Sequence, residues 1–99
     1  MRNYYKEYIA GGLTHEERVN YERISRAVQS GIVLDFETYS SQCLEFQHMW
    51  RDAYQADLSQ RTAMLAIAFG NHEIAEDVLA QTNSYNKSLA MFRAFLRSK

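Results

Sequence analysis

Ser59-Gln60-Arg61-Thr62-Ala63-Met64-Leu65-Ala66-Ile67-Ala68-Phe69-Gly70-Asn71-His72-Glu73-Ile74-Ala75-Glu76-Asp77-Val78-Leu79-Ala80-Gln81 is the stretch whose reading decides the fold. From Ala63 to Phe69 seven consecutive residues are apolar. A helix that is apolar on every side calls for burial on every side, so this arm is expected inside the protein. Gly70 is expected to end it, because glycine takes the left-handed conformation at little steric cost. Asn71 is placed to cap the next helix by accepting from a free backbone N–H. Two helices joined by a two-residue turn fold back on each other. The stretch therefore reads as a central hairpin, 59–81, with a buried first arm and a half-exposed second arm carrying Ile74, Val78 and Leu79 inward.

The hairpin needs a surface to pack on, and residues 36–56 supply one. Asp35 can cap a helix there. Phe36, Tyr39, Cys43, Phe46, Trp50 and Tyr54 then recur at steps of three and four, a continuous helical seam. Glu37, Ser41, Glu45, His48, Asp52 and Gln55 fall on the opposite face. Beyond the hairpin, Thr82-Asn83-Ser84 reads as a polar turn, and Tyr85, Leu89, Phe92 and Leu96 align a last helix over 85–97.

Upstream, Thr14-His15-Glu16-Glu17 has the form of a capping box. Tyr21, Ile24 and Val28 continue it as an amphipathic stripe, and Gly31 closes a helix over 15–30. Ile32-Val33-Leu34 reads as a buried link. Arg2 to Ala10 reads as a short helix too brief to stand alone, separated from the rest by Gly11-Gly12. The fold class is all-α. The expected architecture is a compact bundle of five to six helices around the hairpin 59–81 packed on the long helix 36–56. Residues 1–12 form an N-terminal arm and 13–99 a single helical domain.

Ninety-nine residues suit one domain, and a charged fraction of 23% argues against disorder. There is no proline. One cysteine leaves no internal disulfide and suits a reducing compartment. The first residues lack the apolar core of a signal peptide, and no apolar run approaches the roughly 18 residues of a membrane span. A cytoplasmic location is the expectation. The net charge of −1 hides an asymmetry. Residues 35–58 hold five acids and one base, whereas 78–99 hold four bases and no acid.

Motifs with chemistry are scarce. Cys43 sits mid-seam and reads as a buried structural thiol, since reactivity calls for exposure and nearby positive charge. His15, His48 and His72 fall on different helices, so no metal or cofactor site is expected. Glu45, His48 and Asp52 share one helix face at i, i+3 and i+7, which reads as a polar partner-binding face rather than an acid–base set. Residues 64–79 resemble the two-helix part of an ankyrin repeat through Met64-Leu65-Ala66, Gly70-Asn71-His72-Glu73-Ile74 and Val78-Leu79. The Thr-Pro-Leu-His start and any second copy are missing, so the match marks a helical hairpin rather than membership.

The reading that follows is a non-enzymatic protein-binding module, an adaptor, inhibitor or regulatory accessory protein of bacterial or phage type. Tyr4, Tyr5 and Tyr8 on the arm, with Glu45, His48 and Asp52, are the expected partner-binding residues. The opposite charges of the middle and last segments are compatible with a homodimer. The alternative is a small dimeric nucleic-acid-binding regulator using Lys87, Arg93 and Arg97 on the basic last helix.

Overall fold

Four helix starts rest on side-chain caps in the computed structural model, which describes residues 2–98. Asn3 accepts from Lys6 N at 3.0 Å and opens α1 (Tyr4–Ala10). Thr14 and Glu17 form the reciprocal box that opens α2 (His15–Gln29). Asp35 accepts from Thr38 N at 2.7 Å and opens α3 (Phe36–Ser41). Then α4 (Leu44–Ile67) and α5 (His72–Arg97) run antiparallel, joined by a 3₁₀ turn at Ala68–Gly70, and Asn71 caps α5 by accepting from Ile74 N. These five helices pack as an all-α bundle.

The long helix is not 36–56. It breaks at Gln42-Cys43, where both residues are extended, and resumes as α4 for 24 residues. No glycine or proline marks the break. Ser40 and Ser41 bond the carbonyls of Glu37 and Thr38, the local competition that weakens helices at such residues. The fully buried Gln47 amide then donates to the carbonyls of Ser40 and Gln42, closing the end of α3. Cys43 becomes the residue before α4 and is exposed, so the expectation of a buried thiol fails.

The hairpin is real but longer than 59–81. The expected turn at 82–84 is absent, because α5 continues through it for 26 residues. Thr82 Oγ1 donates to Val78 O and Ser84 Oγ to Ala80 O, so these polar groups are satisfied inside the helix. Val78, Tyr85, Leu89 and Phe92 are buried along one uninterrupted seam. Gly70 does not take the left-handed conformation; among the described residues only Gly11 and Gly31 have positive φ.

The core sits at the end of the hairpin away from its turn, where α1, α2 and α3 cover α4 and α5. Tyr21, Val28, Tyr39, Met49, Tyr54, Tyr85 and Phe92 are almost fully excluded from solvent. The Gly31–Leu34 link is tied by its backbone and by Leu34, which packs partly buried against the core. Tyr54 Oη donates to Ile32 O at 2.9 Å and accepts from Leu34 N at 2.7 Å. The side chains of Ile32 and Val33 stay exposed, so of the expected buried link only Leu34 turns inward. Tyr85 Oη donates to Val28 O and Gln81 Nε2 to Gly31 O, which fixes the end of α2 against α5.

Above Arg61 the cover ends. Arg61 bonds Asp57 at 2.7 Å and lies over the Tyr85 ring, closing the core. Past it the two arms have only each other. The first arm of the hairpin is therefore not buried: Met64, Ile67 and Phe69 are exposed, as are Ile74 and Leu79 on the second arm. The radius of gyration is 14.1 Å, against about 13 Å for a compact chain of 100 residues. The accessible surface is 6397 Å², against about 5,800 Å² for a folded monomer of this mass. Both excesses fit a bare hairpin tip.

Candidate functional site

Two surfaces stand out, at opposite ends of the α4–α5 hairpin. At the end away from the turn the N-terminal half of α4 faces the C-terminal third of α5. The polar face of α4 brings His48, Arg51, Asp52 and Gln55, and α5 brings Ala90, Arg93, Leu96 and Arg97. Arg2 and Asn3, just before α1, complete an open groove of about 830 Å³. This is within the roughly 300–1,000 Å³ range of ligand clefts.

Four arginines and no lysine line this groove. Guanidinium groups suit carboxylate and phosphate oxygens because they present a planar fork of donors. Their present partners differ. Asp52 Oδ1 accepts from Arg51 Nε at 3.0 Å and Nη2 at 2.8 Å, and Asp52 Oδ2 accepts from the backbone N–H of Tyr4 at 2.8 Å. Arg2 bonds Glu7 and Glu17, and holds the Glu17 carboxyl down to about 2 with help from the Thr14 backbone N–H. Arg93 donates to the Gln55 side-chain oxygen and Arg97 to the Arg93 carbonyl. Among the described residues, neither Arg93 nor Arg97 is in an ion pair with a carboxylate.

His48 is half-buried in this setting. Burial, and then the positive charge of Arg51, hold its imidazole below the usual 6.5, with Asp52 opposing. The unfolded chain therefore takes up this proton at a higher pH than the folded one. The neutral imidazole contributes stability that is present above about pH 6.5 and is lost as pH falls through the lower folded value. Glu17 acts in a separate window below its ordinary 4.5. His48→Gln is expected to flatten the fall in stability between pH 7.5 and 5.5, measured by urea unfolding. An unchanged pH slope in the variant would overturn this.

The expected site residues divide between places. His48, Asp52, Arg93 and Arg97 meet in the groove although the sequence suggested them for two rival functions. Asp52 is not on a solvated face; it is buried. Glu45 is exposed one turn before His48, and Lys87 is exposed on α5, and neither lines the groove. Tyr4 is buried under Arg2, Tyr5 is half-buried against the core, and Tyr8 packs on Tyr21 and donates to Glu22. Sequence reasoning missed Arg2, Arg51 and Gln55. The spacing of His48, Arg51, Asp52 and Gln55 on one face was visible, but that it meets Arg93 and Arg97 depends on α5 being one antiparallel helix.

The second surface is the tip. Ile67 is 86% exposed and Phe69 is 90% exposed. Glu73, Glu76 and Asp77, all exposed, flank them on the first turns of α5. Among the described residues there is no cluster of three His, Cys, Asp or Glu able to hold a metal ion, and no helix long and apolar enough to cross a membrane. Comparison with family models, with curated proteins and with solved structures found no match.

Proposed function

We propose that this chain is a small non-enzymatic protein-binding module of the adaptor, inhibitor or regulatory type, and that it docks through the hairpin tip. The observation that carries the reading is the exposure of Ile67 and Phe69 at the tip, with Met64, Ile74 and Leu79 also exposed along the same two arms. Scattered apolar residues are ordinary on a surface, but five large ones gathered on the outer part of one hairpin are the kind of exposure that marks an interaction site. The run 63–69 is apolar on all sides, yet its own chain covers only one. A partner can cover the rest.

Ile67→Ser with Phe69→Ser is expected to leave helicity and thermal stability nearly unchanged, within about 0.5 kcal/mol, because both side chains are already in solvent. The same double variant is expected to lose its partner. The check is affinity capture from cells that express the protein, with wild type and variant as baits and each retained species identified by mass. A species held by wild type alone, the chain itself included, supports the reading. Equal retention by both baits, or none by either, overturns it. The second reading, nucleic-acid binding, draws support from the four arginines of the groove, since phosphate contacts are made largely by such side chains.

A further inference from the structure

The tip carries acids and the groove carries arginines, and the two lie at opposite ends of one hairpin. We propose that the tip of one copy docks into the arginine groove of the next, so that the chain assembles head-to-tail with itself. This rests on the reading of the tip as a docking surface and names its occupant.

Charge selects this pairing over the alternatives. The tip shoulder presents Glu73, Glu76 and Asp77. The nearest arginine, Arg61, is already paired with Asp57, and His72 stands beside Glu76. Tip against tip would set three acids against three. Groove against groove would set Arg93 and Arg97 against their own copies. Only tip against groove brings opposite charges together, and like charges across an interface act against the other two arrangements.

The apolar parts also match. Between the arginines the groove wall is Ala90 and Leu96, a surface that Ile67 and Phe69 can cover. The cleft has room for several side chains at about 830 Å³. Among the described residues Arg93 and Arg97 pair with no carboxylate, so Glu76 and Asp77 are the natural partners across the contact. Arg2 and Arg51 keep their internal partners and add to the field.

A tip in a groove is a heterologous contact. Each added copy leaves one free tip and one free groove, so the assembly grows or closes into a ring. The contact is small, below about 1,200 Å², and falls among weak, transient interfaces. Association is therefore expected at micromolar or higher concentration, and is weakened by salt.

The test is sedimentation velocity on the full chain across a wide concentration range at low and near-physiological salt. Three proteins are compared: wild type, a tip variant (Ile67→Ser with Phe69→Ser) and a groove variant (Arg93→Glu with Arg97→Glu). Wild type is expected to exceed dimer mass as concentration rises. Each variant alone is expected to stop at monomer. Mixed in equal amounts, they are expected to form a one-to-one heterodimer that grows no further, because only one competent tip and one competent groove remain.

Self-association lost in the tip variant and kept in the groove variant would mean a two-fold tip-to-tip dimer. That sinks the head-to-tail arrangement and leaves the tip reading intact. A wild type that stays monomeric throughout sinks self-assembly, and the capture experiment then decides the tip reading alone. Association indifferent to both variants sinks both. A monomer that binds a mixed-sequence oligonucleotide through Arg93 and Arg97 transfers the groove to nucleic acid.

Discussion

Phe92→Ala is expected to destabilise the domain by about 3–5 kcal/mol, the usual cost of removing a fully buried aromatic ring. Phe92 is 1% exposed, and its ring stacks on Tyr39 with centroids 3.7 Å apart and planes within 10°. It also meets Tyr54 at 5.9 Å. The ring thus joins α5 to α3 and α4, and a methyl in its place leaves a cavity that three helices border. A domain of this size has about 5–15 kcal/mol in total, so the loss is expected to lower Tm by roughly 15 °C or more. Calorimetry or thermal circular dichroism checks it. Tyr39→Phe is the control. It keeps the stacked ring and deletes a buried hydroxyl with no hydrogen-bond partner among the described residues, so little loss is expected. A Phe92→Ala cost under about 1 kcal/mol would mean the stack is not what holds α3 in place.

Where the sequence was legible, it was so through groups that act locally. Thr14 with Glu17, Asp35 and Asn71 cap the helices that follow them, because a cap needs only its own next three residues. The inward choices Tyr21, Ile24, Val28, Tyr85, Leu89 and Phe92 also agree with burial, since a 3.6-residue period fixes a shared face whatever the fold. The failures share another cause. Cys43 and Phe36 continued the period, but the chain breaks at Gln42-Cys43, and Gln47 closes the break from four residues beyond it. Thr82 and Ser84 looked like a turn, yet their hydroxyls bond one turn back within α5. Ala63 to Phe69 looked buried because apolarity reports what a segment requires, not which chain supplies it. The groove was half-readable as two faces on α4 and α5. Their meeting, and the arrival of Arg2, are tertiary facts.

Asp52→Ala is the other change expected to be large. Asp52 is 5% exposed and is the carboxylate partner of Arg51, whose side chain is 12% exposed. It also holds the Tyr4 backbone N–H, one of the donors that the first turn of a helix leaves without an internal acceptor. Deleting the carboxylate strips a nearly buried cation of that partner and leaves a buried N–H unmade, a combination that costs about 3 kcal/mol or more. Asp52→Asn can still accept from Tyr4 N but carries no charge, so its loss is expected to fall between wild type and alanine. The two variants also separate in where the damage appears. The seven residues of α1 are too few to stay helical unaided, so Asp52→Ala is expected to free it. Hydrogen exchange would then show amide protection falling in residues 7–10 before it falls in α4 and α5. Uniform loss across all helices would instead mean that Asp52 supports the core as a whole. Release of α1 also takes Arg2 out of the groove, and an acidic tip would then meet a shallower site with fewer positive charges along its rim.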